Sequence, residues 1–246
     1  MSLVYLENVN LIFNVWREKR IKDIIIPGSK KFSDFKNGTV HAIDNVNLSL
    51  KNGDRLAIIG HNGAGKCSML KMIAGIYPPT SGIMKVDGTI SSMFELATGF
   101  EMEQSGWNNI YLRGLMLGQK PNEIKAKMKE IAEFSELGSF LNMPVKYYSS
   151  GMFIRLAFSV STAIAPDILL LDEIIAAGDA AFLDKANKRL KAMVNTAKIM
   201  VLVTHNMQSA IDMCNRCIWM ERGRILMSGD PEEVVTAYLG STQSGK

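Results

Sequence analysis

Nine consecutive residues, Gly60-His61-Asn62-Gly63-Ala64-Gly65-Lys66-Cys67-Ser68, have the types and spacing needed to hold phosphate. Glycines let a backbone wrap a pyrophosphate with its N–H groups turned inward, and a helix that starts there aims its positive end at the same point. Lys66 is placed to reach β- and γ-phosphate oxygens. The apolar run Leu56 to Ile59 before the loop and the helix-like Met69 to Ala74 after it supply the strand and helix that such a loop joins. One position departs from the pattern. Ser or Thr is expected directly after the lysine, as a magnesium ligand, and this chain has Cys67.

Three further groups extend the chemistry. Asp172 follows four apolar residues, Ile168 to Leu171, which places it at a strand's carboxyl end, where open α/β sheets bind ligands. A carboxylate there can hold Mg²⁺ directly or through water. Its neighbour Glu173 points elsewhere and can orient and deprotonate an attacking water. His205 closes the next apolar strand, Ile199 to Val203, within reach of a γ-phosphate or that water. Each has an ordinary reading alone: a cap, a solvated edge, a structural histidine. In this order, each at the end of an apolar strand, they describe an ATP-hydrolysing site. Tyr148-Ser149-Ser150-Gly151-Met152 precedes a helix, with Arg155 one turn in. Small residues at a helix N-terminus can bind a second phosphate group, so this segment points to a site completed by another subunit.

The elements around these residues follow from periodicity. Val4 to Phe13 partly alternates, as a half-buried strand does, and Ala42 to Leu50 alternates cleanly. Asn52-Gly53 reads as a hairpin turn into the strand Arg55 to Ile59. Tyr77 to Gly82 is a turn, and Ile83 to Ile90 holds two short strands. From Gln104 to Leu141 the pattern is helical. Ile110, Leu112, Leu115 and Met116 form one apolar face, and a helix starting at Pro121 repeats Ile124, Met128, Ile131 and Phe134. Further helices span about Gly151 to Ala165, Phe182 to Ala197 and Pro231 to Leu239, with a strand pair around Glu221 to Arg224. Strands alternating with helices indicate a parallel or mixed sheet covered on both faces. The helical stretch reads as an insertion within that core.

Totals bound the rest. The 246 residues suit one large domain or two small ones. A net charge of +4 and a pI of about 8.9 suit nucleotides or an anionic surface and select neither. Met1 to Asn14 lacks the form of a signal peptide, and the longest apolar region, Phe153 to Leu171, is broken by Arg155, Pro166 and Asp167. Three cysteines make no disulfide framework, which fits a reduced cytosolic protein. Cys214 and Cys217 have redox or zinc spacing but no second pair to close a metal site, so they read as structural. Arg17 to Gly38 interleaves Lys19, Arg20, Lys22, Lys30, Lys31 and Lys36 with apolar residues. It reads as a solvated insertion, with an interfacial segment as the competing reading.

Tyr148 to Met152 resembles the signature motif of ABC-type ATPases, whose commoner form is Leu-Ser-Gly-Gly-Gln. The order Walker A, helical insertion, signature, Walker B and switch histidine runs from Gly60 to His205. Leu169 to Glu173, Gly178 to Phe182, Cys214-Asn215-Arg216 and the closing Gly-x-Ile and Val-x-x-x-Tyr narrow the resemblance to the ATP-binding subunits of bacterial polysaccharide exporters. These power O-antigen, capsule or teichoic acid export, and the chain is similar to their short form, which carries no C-terminal carbohydrate-binding domain. The resemblance implies an α/β P-loop NTPase of the ABC ATPase type. It would have a RecA-like core with an antiparallel β subdomain (1–99 and 166–246) and a helical subdomain (100–165).

The resemblance also implies roles. The loop residues Gly60, Asn62, Gly63, Ala64, Gly65, Lys66, Cys67 and Ser68 bind ATP, with Lys66 on the β/γ-phosphates. Asp172 assists Mg²⁺, Glu173 is the general base and His205 the γ-phosphate switch. Ser149, Ser150 and Gly151 cover the nucleotide of a second copy, and Asp179 communicates across that dimer. Phe13 is the candidate for stacking on adenine. The glutamine that links magnesium to the membrane domain is missing; Glu95 stands nearest its place and Gln104 is the alternative. Cys67 is soft where Mg²⁺ prefers hard oxygen, so magnesium-dependent turnover is expected to fall unless water fills that ligand position. The implied partners are a second copy, two copies of a transmembrane permease and, through it, a lipid-linked polysaccharide, at the cytoplasmic face of the inner membrane. The rival readings are a nucleotide-binding switch with low turnover, a cassette for another substrate, and a soluble ABC protein on ribosomes or DNA. The last is disfavoured, since such proteins join two ATPase halves in one chain.

Overall fold

A computed structural model describes residues 2–14, 38–94, 96, 98–172 and 180–243. The basic stretch from Arg17 to Lys36 and the roles expected of Glu95, Glu173 and Asp179 fall outside those residues.

Nine strands form two sheets among the described residues. β1 (Leu3–Asn14), β2 (Thr39–Lys51) and β4 (Ser81–Asp87) make an antiparallel sheet in the order β2-β1-β4. The second sheet contains β3 (Arg55–Ile59), β5 (Ile90–Ser92), β6 (Ile168–Asp172), β7 (Ile199–Val203), β8 (Arg216–Glu221) and β9 (Arg224–Gly229) in the order β5-β6-β7-β3-β8-β9. It is parallel except for β9, which returns antiparallel beside β8. Composition explains the division. β3, β6 and β7 are continuous apolar runs buried on both faces, the signature of central parallel strands. β2 alternates and buries one face, with Ile43, Val46, Leu48 and Leu50 inward. Bulges at Asn8 (φ 49°) and Asn45 (φ 52°) shift its register against β1, in the left-handed conformation that asparagine tolerates.

The Asn52-Gly53 turn is not a hairpin. β2 and β3 leave it into different sheets, because β3 takes β7 and β8 as its two neighbours and has no edge left for β2. The Gly53 N–H donates instead to the Lys198 carbonyl, 2.7 Å away, tying the turn to the start of β7.

Seven helices cover the sheets among the described residues. α1 (Lys66–Ile73) packs in the core shared by both sheets, with Met69, Leu70, Met72 and Ile73 buried. α2 (Gly106–Met116), α3 (Pro121–Ser135) and α4 (Ser150–Thr162) form an outer helical layer around Ile110, Ile124, Ile131, Leu156 and Val160. α5 (Ala180–Thr196), α6 (Met207–Met213) and α7 (Pro231–Gln243) accompany the sheet's other face. Pro121 opens α3 as expected, and the Glu123 side chain accepts from the Lys120 N–H at 2.9 Å.

The buried face of α2 differs from the expected one. Gly106, Asn109, Ile110, Arg113 and Gly114 point inward, while Met116 is 60% exposed. The two glycines decide this: a Cβ at Gly114 would lie 2.2 Å from the Ile124 side chain, and one at Gly106 would lie 2.4 Å from the Tyr148 hydroxyl. Close helix approach, not apolar periodicity, sets the orientation. Asn109, fully buried, then donates to the carbonyls of Glu101, Gln104 and Ser105 and accepts from the Glu101 N–H, holding the loop that enters the helical layer.

An aromatic cluster joins this layer to α5. Phe158 of α4 packs between Phe134 of α3 and Phe182 of α5, with ring centroids 6.2 Å and 5.9 Å away. Phe158→Ala should cost about 3–5 kcal/mol of stability by opening a cavity there; urea unfolding of the variant beside the unaltered chain measures it.

Candidate functional site

The glycine loop lies between the end of β3 and the start of α1, and backbone presses on it from both sides. Gly60 (φ 144°) stands so close to β8 that a Cβ would lie 2.2 Å from the Met220 carbonyl oxygen. Gly65 (φ 100°) is equally tight against β2, where a Cβ would meet the Ala42 carbonyl at 2.4 Å. Only glycine allows these approaches. The Gly223 N–H donates to the Ala64 carbonyl at 2.9 Å, and Asp44 N–H donates to Gly223 O at 2.9 Å, so the β8–β9 turn clasps the loop to β2. An ion pair from Arg224 to Asp44 at 2.7 Å reinforces the clasp.

Within the loop, Lys66 is buried and its ammonium donates to the carbonyls of Gly60 (2.7 Å) and His61 (2.9 Å). The charge is thereby held at the loop's own backbone. Gly65 is the N-cap of α1 and no side chain caps its first turn, which leaves N–H groups and the helix's positive end directed into the loop. These features fit a polyphosphate.

Asp172, Thr204 and His205 come together at the same edge. β6, β7 and β3 are adjacent and parallel, so Asp172, the residues after Val203 and the glycine loop line up at their carboxyl ends. At a strand spacing of about 4.8 Å they span roughly 10 Å. Thr204 is buried, its N–H donates to Ile58 O at 3.4 Å, and its hydroxyl accepts from the Asn206 N–H at 3.0 Å. That turn fixes the approach of exposed His205. Nothing in the sequence pattern singled out Thr204; its role depends on the turn that follows β7.

Cys67, in the first turn of α1, lies close enough to Asp172 to feel its charge. Desolvation and then the nearby Asp172 carboxylate push the thiol's pKa up, against the opposing pull of Lys66 and Lys71. The Cys67 thiol is therefore held in its neutral form. Asp172, an oxygen donor half-buried at the strand end, fits a hard cation such as Mg²⁺, and the protonated thiol does not.

The signature residues belong to the helical layer. Ser149 caps α4, accepting from the Met152 N–H at 3.2 Å, and both Ser149 and Ser150 are exposed. They are carried by a different layer from the glycine loop. Phe13, at the end of β1, packs edge-on against Tyr77 at 5.2 Å, and Lys71 of α1 sits over the Tyr77 ring. Gln104 is exposed and its side chain accepts from Asn108 at 2.8 Å, within the turn before α2. Cys214 and Cys217 are buried free thiols pushed up to about 12, chiefly by burial, which agrees with their structural reading.

Residues 43–176 match the family described as ABC transporter. The chain is 38% identical over 218 residues to the O-antigen export system ATP-binding protein RfbB of Klebsiella pneumoniae, covering 89% of each chain. It is 42% identical over 199 residues to the protein of that name from Myxococcus xanthus, covering 81% of this chain but 46% of that one. It is 36% identical over 237 residues to the teichoic acids export ATP-binding protein TagH of Staphylococcus haemolyticus, covering 96% of this chain and 87% of the other. Among solved structures, a dimeric ATP-binding cassette in a post-hydrolysis state with ADP and Pi superposes with a TM-score of 0.66 at 22% identity. It covers 93% of this chain and 98% of the cassette.

The effect of Asp172 on Cys67 predicts thiol reactivity. Removing the carboxylate lowers the Cys67 pKa, so Asp172→Asn should raise its alkylation rate by iodoacetamide at pH 8 about three- to tenfold. Mass spectrometry of the modified peptide measures this, and the buried Cys214 and Cys217 should stay unmodified.

Proposed function

We propose, given that this chain belongs to the ABC transporter family, that it is the ATP-hydrolysing subunit of an exporter of a lipid-linked polysaccharide, of which O-antigen is the first choice. The supporting observation is the clasped glycine loop with the Lys66 ammonium at its backbone and Asp172 alongside, in a chain 38% identical to an O-antigen export ATP-binding protein over 89% of both lengths.

In this reading residues 1–99 and 166–246 form the nucleotide-binding core and 100–165 the helical subdomain. The loop N–H groups and Lys66 hold the β- and γ-phosphates of ATP. Asp172 would hold Mg²⁺, which when bound would supply positive charge to offset that of the phosphate oxygens. Glu173 takes a proton from the attacking water as its oxygen bonds to the γ-phosphorus and the bond to the β-phosphate oxygen breaks. Positioning and charge stabilisation account for most of the catalysis in such transfers. His205 senses the γ-phosphate from the end of β7, and Phe13 stacks on adenine. Either Glu95 or Gln104 links the site to the permease.

Because Ser149, Ser150 and Gly151 sit on the helical layer, the site is completed by a second copy, whose signature residues close over the nucleotide, with Asp179 communicating between copies. Two ATP molecules are then held in a homodimer beneath two permease subunits. That docking assigns the chain to the cytoplasmic face of the inner membrane. No helix among the described residues is long and apolar enough to cross a membrane. Nucleic acid has no part in this reading.

Two measurements test it. Glu173→Gln should lower steady-state ATP hydrolysis about 10²–10⁴-fold while nucleotide binding persists; retention of full turnover would remove the general-base assignment. Cys67→Ser supplies the oxygen ligand and should raise turnover at limiting Mg²⁺ more than at saturation. Equal rates for the unaltered chain and the Cys67→Ser variant across the Mg²⁺ titration would mean that water already serves that position.

A further inference from the structure

Helices α3 and α4 have no basic residue in their last turns, although a helix's C-terminus favours a cation. α5 supplies cations to both from outside. Lys185 donates to the Phe134 carbonyl near the end of α3 (3.2 Å) and to Glu136 Oε1 (2.8 Å). Arg189 donates through Nε to the carbonyl of Thr162, the last residue of α4 (3.3 Å), and pairs with Glu130 at 2.5 Å. Both cations also lie over the Phe134 ring, 4.6 and 4.4 Å from its centroid.

Glu136 is the junction of this arrangement. It closes α3 in the left-handed conformation (φ 57°), which turns its carboxylate toward both neighbouring helices. One oxygen receives Lys185 of α5; the other faces Arg155 of α4, whose Nη1 is 3.7 Å away. The Arg155 guanidinium also lies 5.5 Å from the ring centroid of Phe182, in the first turn of α5. Arg155 is on the helix that Ser149 caps, and α5 packs on the sheet through Met193 and Val194.

We propose that Glu136 is a positioning residue that couples the phosphate-covering end of α4 to α5, which packs on the sheet. Exposed ion pairs contribute little stability singly, and the Phe134, Phe158 and Phe182 contacts hold the layers together without them. What the shared carboxylate adds is orientation: Arg155 and Lys185 are held to one point, so a displacement of α5 turns α4 with it. This rests on the composite site proposed above.

The test uses the full chain and its Glu136→Gln, Lys185→Met and doubly substituted forms. Association driven by a non-hydrolysable ATP analogue is read by sedimentation, alongside kcat, and the equilibrium ATP affinity and melting temperature of the dilute monomer. Each single change should weaken association and lower kcat about tenfold, while monomer ATP affinity stays within about twofold, and the double variant should be no worse than either single one. Unchanged association and kcat in Glu136→Gln, or additive effects, would overturn the coupling. So would a parallel loss of ATP affinity and melting temperature, which would make Glu136 structural only. Failure of the unaltered chain to associate would overturn the composite-site reading itself, and the coupling with it.

Discussion

Everything at the site depends on how closely three backbones approach at the glycine loop. β3 brings the loop out between β2 and β8, and the carbonyls of Ala42 and Met220 fill the space that side chains at positions 65 and 60 would need. Gly223 bonds to Ala64 from the β8–β9 turn. The loop is thus shaped by contacts on both flanks. Rigidity of this kind lowers the ordering cost of binding phosphate.

The same strand order places the acidic and histidine positions. Because β6 and β7 lie side by side next to β3, residues more than a hundred positions apart in the chain reach one edge of the sheet. Cys67, in the first turn of α1, lies near enough to the Asp172 carboxylate for that charge to help hold its thiol protonated. The helical layer is attached differently. It meets α5 through three phenylalanines and a set of cations at helix ends, a boundary that combines a dispersion-packed centre with orientable polar contacts around it.

Much of this was legible in the residues. Buried apolar runs at Leu56, Ile168 and Ile199 read correctly as strands, and the helices at Pro121 and Pro231 start where their prolines place them. The failures have physical causes. Asn52-Gly53 has hairpin chemistry, yet strand pairing is settled by which partners β3 can bury between, a non-local matter. The face of α2 escaped periodicity because its inward positions are two glycines, a buried asparagine and an arginine, chosen for close packing and for loop hydrogen bonds. Glu136 offered no signal at all: a charged residue after a helix looks solvated until two other helices bring their cations to it.

The chemistry available to the chain is written in residue types and short spacings: a glycine loop with its lysine, an acidic pair after an apolar strand, a histidine after another, and small residues capping a helix. Those are local patterns, and local patterns can be read without coordinates. Which groups touch is a property of the folded chain alone. Strand order aligned Asp172 and His205 with the loop, and the packing of α5 on α3 and α4 made one carboxylate the meeting point of Arg155 and Lys185. Such contacts join residues from 19 to more than a hundred positions apart, and no spacing rule along the chain encodes them.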